Sequence, residues 1–177
     1  MTGIIEKIWL PSASVVPQER GHDFLGVVDG AEWSEGVGFH RGFFSTFRIL
    51  AGRDVWFHFP FPTPVARDGK DMALSGISLL WETLDDAKIN WLVLQHGGME
   101  RLPLTERETE PPSVVVPFEP PERWRDYYPA SQRRLSRIQL DRKLELDFGL
   151  QLCIGVSAGA SDGTVRFYGA GAEFSEA

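Results

Sequence analysis

"LELDFGLQLCIGVSAG", residues 144–159, is the stretch whose reading decides the fold. Leu144, Leu146, Phe148, Leu150, Leu152, Ile154 and Val156 fall on one parity; Glu145, Asp147, Gly149, Gln151 and Cys153 fall on the other. Successive side chains of a strand point to opposite faces, so this alternation predicts a half-buried β-strand. "ASDG" (160–163) then turns the chain into "TVRFYGAGAEF" (164–174), and pairing of 148–156 with 164–172 would close the sheet. The glycine-rich parity of each segment marks places where another backbone or sheet approaches closely.

Working outward, the same texture recurs. "VGFHRGFFSTFRIL" (37–50) is rich in Phe without a helical stripe, and "GRD" (52–54) turns it into "VWFHFPFP" (55–62). "ALSGISLLWETL" (73–84) and "KINWLVLQ" (88–95) flank Asp85, Asp86 and Ala87, which reads as a hairpin with a three-residue loop. On that pairing Trp81 lies diagonal to Trp91. "HGG" (96–98) supplies the next turn, before "MERLPLTE" (99–106). "RLSRIQLD" (134–141) alternates less regularly. About eight to ten short strands with turn signals between them predict two packed antiparallel sheets. The expected fold is all-β: one antiparallel β-sandwich over 1–177, jelly-roll-like, with a closed β-barrel as the runner-up.

Residues 105–131 interrupt the pattern with six of the twelve prolines: Pro111, Pro112, Pro117, Pro120, Pro121 and Pro129. Neither a helix nor a central strand tolerates that density. "VVV" (114–116) still has the character of a short edge strand. The segment reads as a lid over a site, as an arm gripping a neighbouring subunit, or as disordered chain, and the three alternatives stay open at this point.

Bulk properties bound the function. A chain of 177 residues with 42% hydrophobic residues supports a core of its own. The formal net charge of -7 argues against nucleic acid and anionic membranes as partners. "ERWRDYYPASQRRLSR" (122–137) interleaves five arginines with aromatic rings, but Glu119, Glu122 and Asp126 stand beside them, so pairing with carboxylates of an adjacent subunit is the simpler reading. The single cysteine, Cys153, permits no intrachain disulfide. No secretory leader and no unbroken run of about 20 apolar residues is visible, which predicts a cytoplasmic protein without a membrane helix.

The chemical candidates are sparse. His22, His40, His58 and His96 show no ligand spacing, so separate histidines are preferred over a metal site and no cofactor is implied. Cys153 has no local partner for nucleophilic work, and no glycine-rich stretch matches a phosphate loop. Asp68, Asp85 and Asp86 read as turn formers. The segment "FHFPFPTPVA" (57–66) holds the best cluster. Val55, Phe57 and Phe59 share one strand face, while Trp56 and His58 share the other. If that second face is solvated, Trp56 and His58 form a ledge for a flat ligand, with Phe61 on the proline rim and Trp91 from the next strand. Pro60, Pro62 and Pro64 are expected to end regular pairing beyond Phe59.

"WFHFPFPTPV" (56–65) and "GLQLCIGVSAG…GTVRFYGAGAEF" (149–174) together resemble an uncharacterised family of small, β-rich bacterial proteins. That family has an FHFPxPTPV-like segment and a C-terminal GAGA[DE]F-like strand. Here Leu152 and Cys153 replace a small, apolar pair, and the Pro-rich segment is long. The resemblance implies one β-rich domain and carries no catalytic residue.

Two functions follow from the residues. The first is a non-enzymatic module that forms a homo-oligomer or binds a glycan or small apolar ligand through Trp56, His58, Phe61 and Trp91. The second is a small enzyme whose catalytic residues are His58, His96 and Glu82, converging between the sheets.

Overall fold

The computed structural model describes residues 5–28, 39–41, 43–64, 66–126, 128, 130–146 and 148–177. The strands in chain order are β1 (Ile5–Pro11), β2 (Val16–Pro17), β3 (Leu25–Gly26), β4 (Phe39–Arg41), β5 (Ser45–Ile49) and β6 (Asp54–Phe61). They continue with β7 (Ala66–Arg67), β8 (Lys70–His96), β9 (Glu100–Pro103), β10 (Val114–Phe118), β11 (Ser131–Glu145) and β12 (Leu150–Glu176). All pairings among the described residues are antiparallel, and the arrangement is a sandwich rather than a closed barrel.

Two strands of 27 residues each, β8 and β12, run through both layers. The first half of β8 pairs with the second half of β12, from Met72 opposite Glu176 to Asp85 opposite Gly163. Flanked by β10 and β11 on one side and by β1 and β5 on the other, these halves form sheet I. The second half of β8 pairs with the first half of β12, from Ala87 opposite Ala158 to His96 opposite Leu150. With β9 outside β8, and β6 and β2 outside β12, they form sheet II.

This corrects two hairpins expected from sequence. Asp85–Ala87 does not reverse the chain, and 148–156 does not pair with 164–172. The two turn segments instead face each other where both strands bend from one sheet into the other. The Asp86 carboxylate accepts from the Ser161 backbone N–H at 3.1 Å. Gly163 allows the close approach: a Cβ there would stand 2.3 Å from the Ala87 nitrogen. Local and long-range pairings satisfy the same alternation and the same backbone hydrogen bonds, so the pattern alone does not choose between them. Trp81 is consequently not beside Trp91. It is buried in sheet I opposite Phe167, its indole donating to Ser136 Oγ at 3.1 Å, while Trp91 lies in sheet II opposite Gly155.

The core lies between the sheets. Leu146, Leu150, Leu152, Ile154 and Val156 are buried as the alternation predicts, whereas Phe148 is 67% exposed. A register shift at Tyr168 resets the parity of β12, so that Ala170, Ala172 and Phe174 still face inward after Val165 and Phe167, and shifts at Ser75 and Asn90 do the same for β8. Phe47 of sheet I meets Phe57 of sheet II at 4.7 Å between centroids, and Phe167 meets Phe57 at 5.1 Å. The β6 face containing Val55, Phe57, Phe59 and Phe61 is therefore core. Regular pairing runs two residues past Phe59, to Phe61 opposite Leu150. Pro60 is tolerated because β2 pairs with β6 only at Phe57 and His58.

Residues 104–118 cross from the edge of sheet II to the edge of sheet I. Leu104 N–H donates to Leu92 O at 2.9 Å, and Thr109 N–H to Asn90 O at 3.1 Å. Val114–Phe118 then adds the expected edge strand to β11. Arg134 pairs with Glu110 of its own chain at 3.0 Å.

Candidate functional site

The solvent side of sheet II gathers the ledge residues. Trp56 and Trp91 stand opposite Gly155 on the two strands flanking it, with indole centroids 5.3 Å apart. A Cβ at Gly155 would make ordinary contact with the Trp56 ring at 3.6 Å and Trp91 Cβ at 3.4 Å, and a close one with Asn90 Oδ1 at 2.8 Å. Beside the indoles lies a hollow of about 150 Å³ whose walls include His58, Gln18, Gln95, Arg101 and Cys153. Arg107, from the crossing segment, places its guanidinium 5.1 Å from the Trp91 ring.

Hydrogen bonds settle the tautomer of His58. The Gln18 amide donates to Glu19 Oε1 at 2.9 Å, which turns its carbonyl oxygen toward His58 Nε2, 3.2 Å away. Nε2 therefore carries the proton, and Nδ1 accepts from the Cys153 thiol at 3.3 Å. Glu19 also takes the Trp56 backbone N–H at 2.9 Å. Burial pulls the His58 pKa below its ordinary value, with the Glu19 charge opposing. Burial pushes the Cys153 thiol up to about 11, against the opposing pull of Arg101 and of a hydrogen bond with Gln151. Both groups are uncharged at neutral pH, and a thiol held this high makes a poor nucleophile. Gln151 donates to Gln95 Oε1 at 2.6 Å, fixing a second amide in the floor.

The other expected site residues stand elsewhere. His96 ends β8 and lies 3.6 Å from Glu100, beside a separate hollow that Phe61 also lines. Glu82 is on sheet I, 5% exposed, facing Arg166 across the strands. Its carboxylate accepts from Arg166 at 3.1 Å, Tyr168 at 3.1 Å and the Gln132 N–H at 3.2 Å. His58, His96 and Glu82 thus line no common cavity among the described residues. His40 falls in β4 with its side chain outside the described set, and Trp33 lies outside the described residues. No group of three or more metal-ligating side chains gathers among the described residues, and no helix there is long and apolar enough to cross a membrane.

Sequence reasoning missed the Cys153–His58 contact because the partners are 95 positions apart. The available signal was parity: Gln151, Cys153 and Gly155 share the face opposite the core. It also missed the other solvent face. There Trp9 lies over Gly169 and Gly171, where a Cβ would come within 2.6 Å and 2.7 Å of its ring. The glycines that seat these indoles are the ones the alternation marked for close approach.

No family model matches the chain, and no curated protein matches it significantly. Among solved structures, TmCBM61 in complex with β-1,4-galactotriose aligns over 96% of this chain and 88% of its own, at 10% identity and a TM-score of 0.39. The Stig cyclase Fisc from Fischerella sp. TAU, in complex with (3Z)-3-(1-methyl-2-pyrrolidinylidene)-3H-indole, aligns over 98% and 89%, at 9% identity and a TM-score of 0.39. The Agl-KA catalytic domain aligns over 99% of this chain and 28% of its own, at 13% identity and a TM-score of 0.35. Likenesses this distant bear on neither ligand nor chemistry, so the site is read from its own residues.

Proposed function

We propose that the protein is a non-enzymatic binding module for a glycan unit, seated on the Trp56–Trp91 face of sheet II. The observation that carries the reading is the pair of indoles 5.3 Å apart beside a hollow walled by Gln18, Gln95, His58 and Arg101. A sugar ring has an apolar C–H face and a rim of hydroxyls. Indole surface suits the first, and the amides of Gln18 and Gln95, the His58 imidazole and the Arg101 guanidinium supply hydrogen-bonding groups for the second. The uncharged Cys153–His58 pair favours binding over nucleophilic chemistry.

The test is titration with a panel of neutral oligosaccharides, read by tryptophan fluorescence and calorimetry. A saturable response that weakens roughly tenfold or more in Trp56→Ala and Trp91→Ala is expected. No saturable response to any sugar, or one that both variants leave intact, would overturn the reading.

A second reading, self-assembly, is favoured by the outer edge of sheet I. Val114 and Val115 of β10 are 62% and 54% exposed on a strand that, among the described residues, pairs only with β11. Such an edge is a template for a second copy. Light scattering on a size-exclusion column tests it: a dimer dispersed by Val115→Lys supports it, and a monomer at every concentration removes it.

A further inference from the structure

Sheet I and the chain that follows β10 (Pro120, Pro121, Arg123, Trp124 and Tyr128) enclose a second concavity, of about 450 Å³, on the opposite side of the molecule from the Trp56–Trp91 face. Its rings come from separate parts of the chain. Trp9 is seated on the β12 glycines, Phe43 and Phe44 precede β5, and Trp124 and Tyr128 follow β10. Phe43 meets Tyr128 at 5.0 Å and Trp124 at 6.2 Å, both edge-on, and Phe44 links Tyr128 at 5.6 Å to Tyr168 at 5.3 Å. Edge-on pairs of this kind are favourable ring contacts and hold the cluster together. Three of these large apolar groups remain exposed: Phe43 at 64%, Trp9 at 50% and Trp124 at 37%. Exposed apolar surface is ordinary when scattered, but gathered into one concavity it marks a binding site.

The charges in the wall select the ligand. Arg133 holds its guanidinium 4.7 Å from the Phe118 ring and 5.3 Å from the Tyr168 ring, while two of its nitrogens reach the carbonyls of Val116 and Pro117 at 3.4 Å each. Among the described residues its third nitrogen, Nη1, has no hydrogen-bond acceptor. Arg123 stands 5.7 Å from the Trp124 ring and lines the same wall. No carboxylate appears among the described lining residues. The nearby Glu82 is already occupied by Arg166, Tyr168 and the Gln132 N–H. An aromatic cage for a cation would not place two guanidinium groups in its wall. We propose that this basin is a second ligand site, taking a planar aromatic anion whose ring lies against the Phe43, Trp124 and Tyr128 cluster and whose carboxylate or sulfonate meets Arg133.

The site is independent of the sugar reading, and its test uses different probes. Anilinonaphthalene sulfonate is titrated into the native, full-length protein, with neutral N-phenylnaphthylamine in parallel. One saturable site per chain is expected for the sulfonate. Arg133→Gln should weaken the sulfonate about tenfold, the scale of one charge-assisted hydrogen bond, and leave the neutral probe unchanged. Phe43→Ala, at a position 64% exposed, should weaken both probes, and Trp56→Ala neither. Circular dichroism confirms that each variant is folded. Absence of saturable sulfonate binding, equal affinity in Arg133→Gln, or loss in Trp56→Ala would overturn the proposal.

Discussion

The two solvent faces of the sandwich use one device and arrive at different surfaces. On sheet II, Trp56 and Trp91 close over Gly155; on sheet I, Trp9 lies over Gly169 and Gly171. All three glycines belong to β12. The faces differ in what surrounds the indole. Sheet II carries amides, an uncharged thiol–imidazole pair and the Arg101 guanidinium, with no buried ion pair, in a small hollow among the described residues. Sheet I carries a buried carboxylate–guanidinium pair, and beside Trp9 the chain that follows β10 walls a larger basin. A glycine in a strand thus provides a seat for a ring, and the neighbouring strands decide whether polar or ionic groups flank it.

The largest expected effect tests the ionic support of sheet I. Glu82→Ala leaves Arg166 facing no carboxylate at a site where their side chains are 7% and 18% exposed. Urea unfolding should show a loss of about 3–5 kcal/mol, because a buried charge without its partner keeps its desolvation cost. Gln95→Ala, the matched removal of a polar group from sheet II, should cost only about 1 kcal/mol. Equal losses would erase the distinction between the faces.

Next in size is the seating itself. Gly171→Ala drives a methyl to 2.7 Å from the Trp9 ring and should cost about 1–3 kcal/mol, with a shift in tryptophan emission. Gly155→Ala should cost less. Its shortest contact, 2.8 Å, is with the end of the Asn90 side chain, and the Trp56 ring stands off at 3.6 Å. The reverse order would mean that the sheet II indoles are the more tightly seated pair.

A smaller effect separates the faces by pH. The folded state lowers the His58 pKa below 6.5, chiefly by burial, so the unfolded chain binds the proton more readily. His58 therefore contributes stability above about pH 6.5 that is lost as pH falls through its folded pKa. His58→Gln should flatten that part of the stability–pH curve, while Phe43→Ala leaves its slope unchanged. An unchanged slope in His58→Gln would show that the imidazole is not desolvated.

The smallest change in stability is expected for Cys153→Ser, which keeps a hydroxyl donor for His58 Nδ1. The thiol is more informative through its reactivity. With its pKa pushed up to about 11, Cys153 should alkylate far more slowly at pH 8 than a free thiol, and unfolding in urea should restore the ordinary rate. Fast alkylation of the native protein would place a thiolate on sheet II and reopen its reading as a neutral face.

Strand character and the grouping of Val55, Phe57 and Phe59 on one face of β6 against Trp56 and His58 on the other were legible in the sequence, because a period of two is a local property; which group faces the core was not. Also legible were the turn at Gly97–Gly98, both with positive φ, and the edge strand at Val114–Val116. Strand partners were not legible. Asp85–Ala87 and Ala160–Gly163 carry the residues of a turn and serve instead at a bend, where Asp86 reaches Ser161 from 75 positions away. Both pairings bury the same apolar parity, and only the packing of Phe47, Phe57, Phe59 and Phe167 between two layers favours the long-range one. The sites follow from that choice. Cys153 meets His58, and Trp91 meets Trp56, because β8 and β6 flank the same half of β12. The sequence by itself determined that side chains alternate between two faces and where glycine leaves room. The tertiary structure decided which ring fills each space and which charges stand beside it, because side chains from distant segments meet only after the long strands have paired.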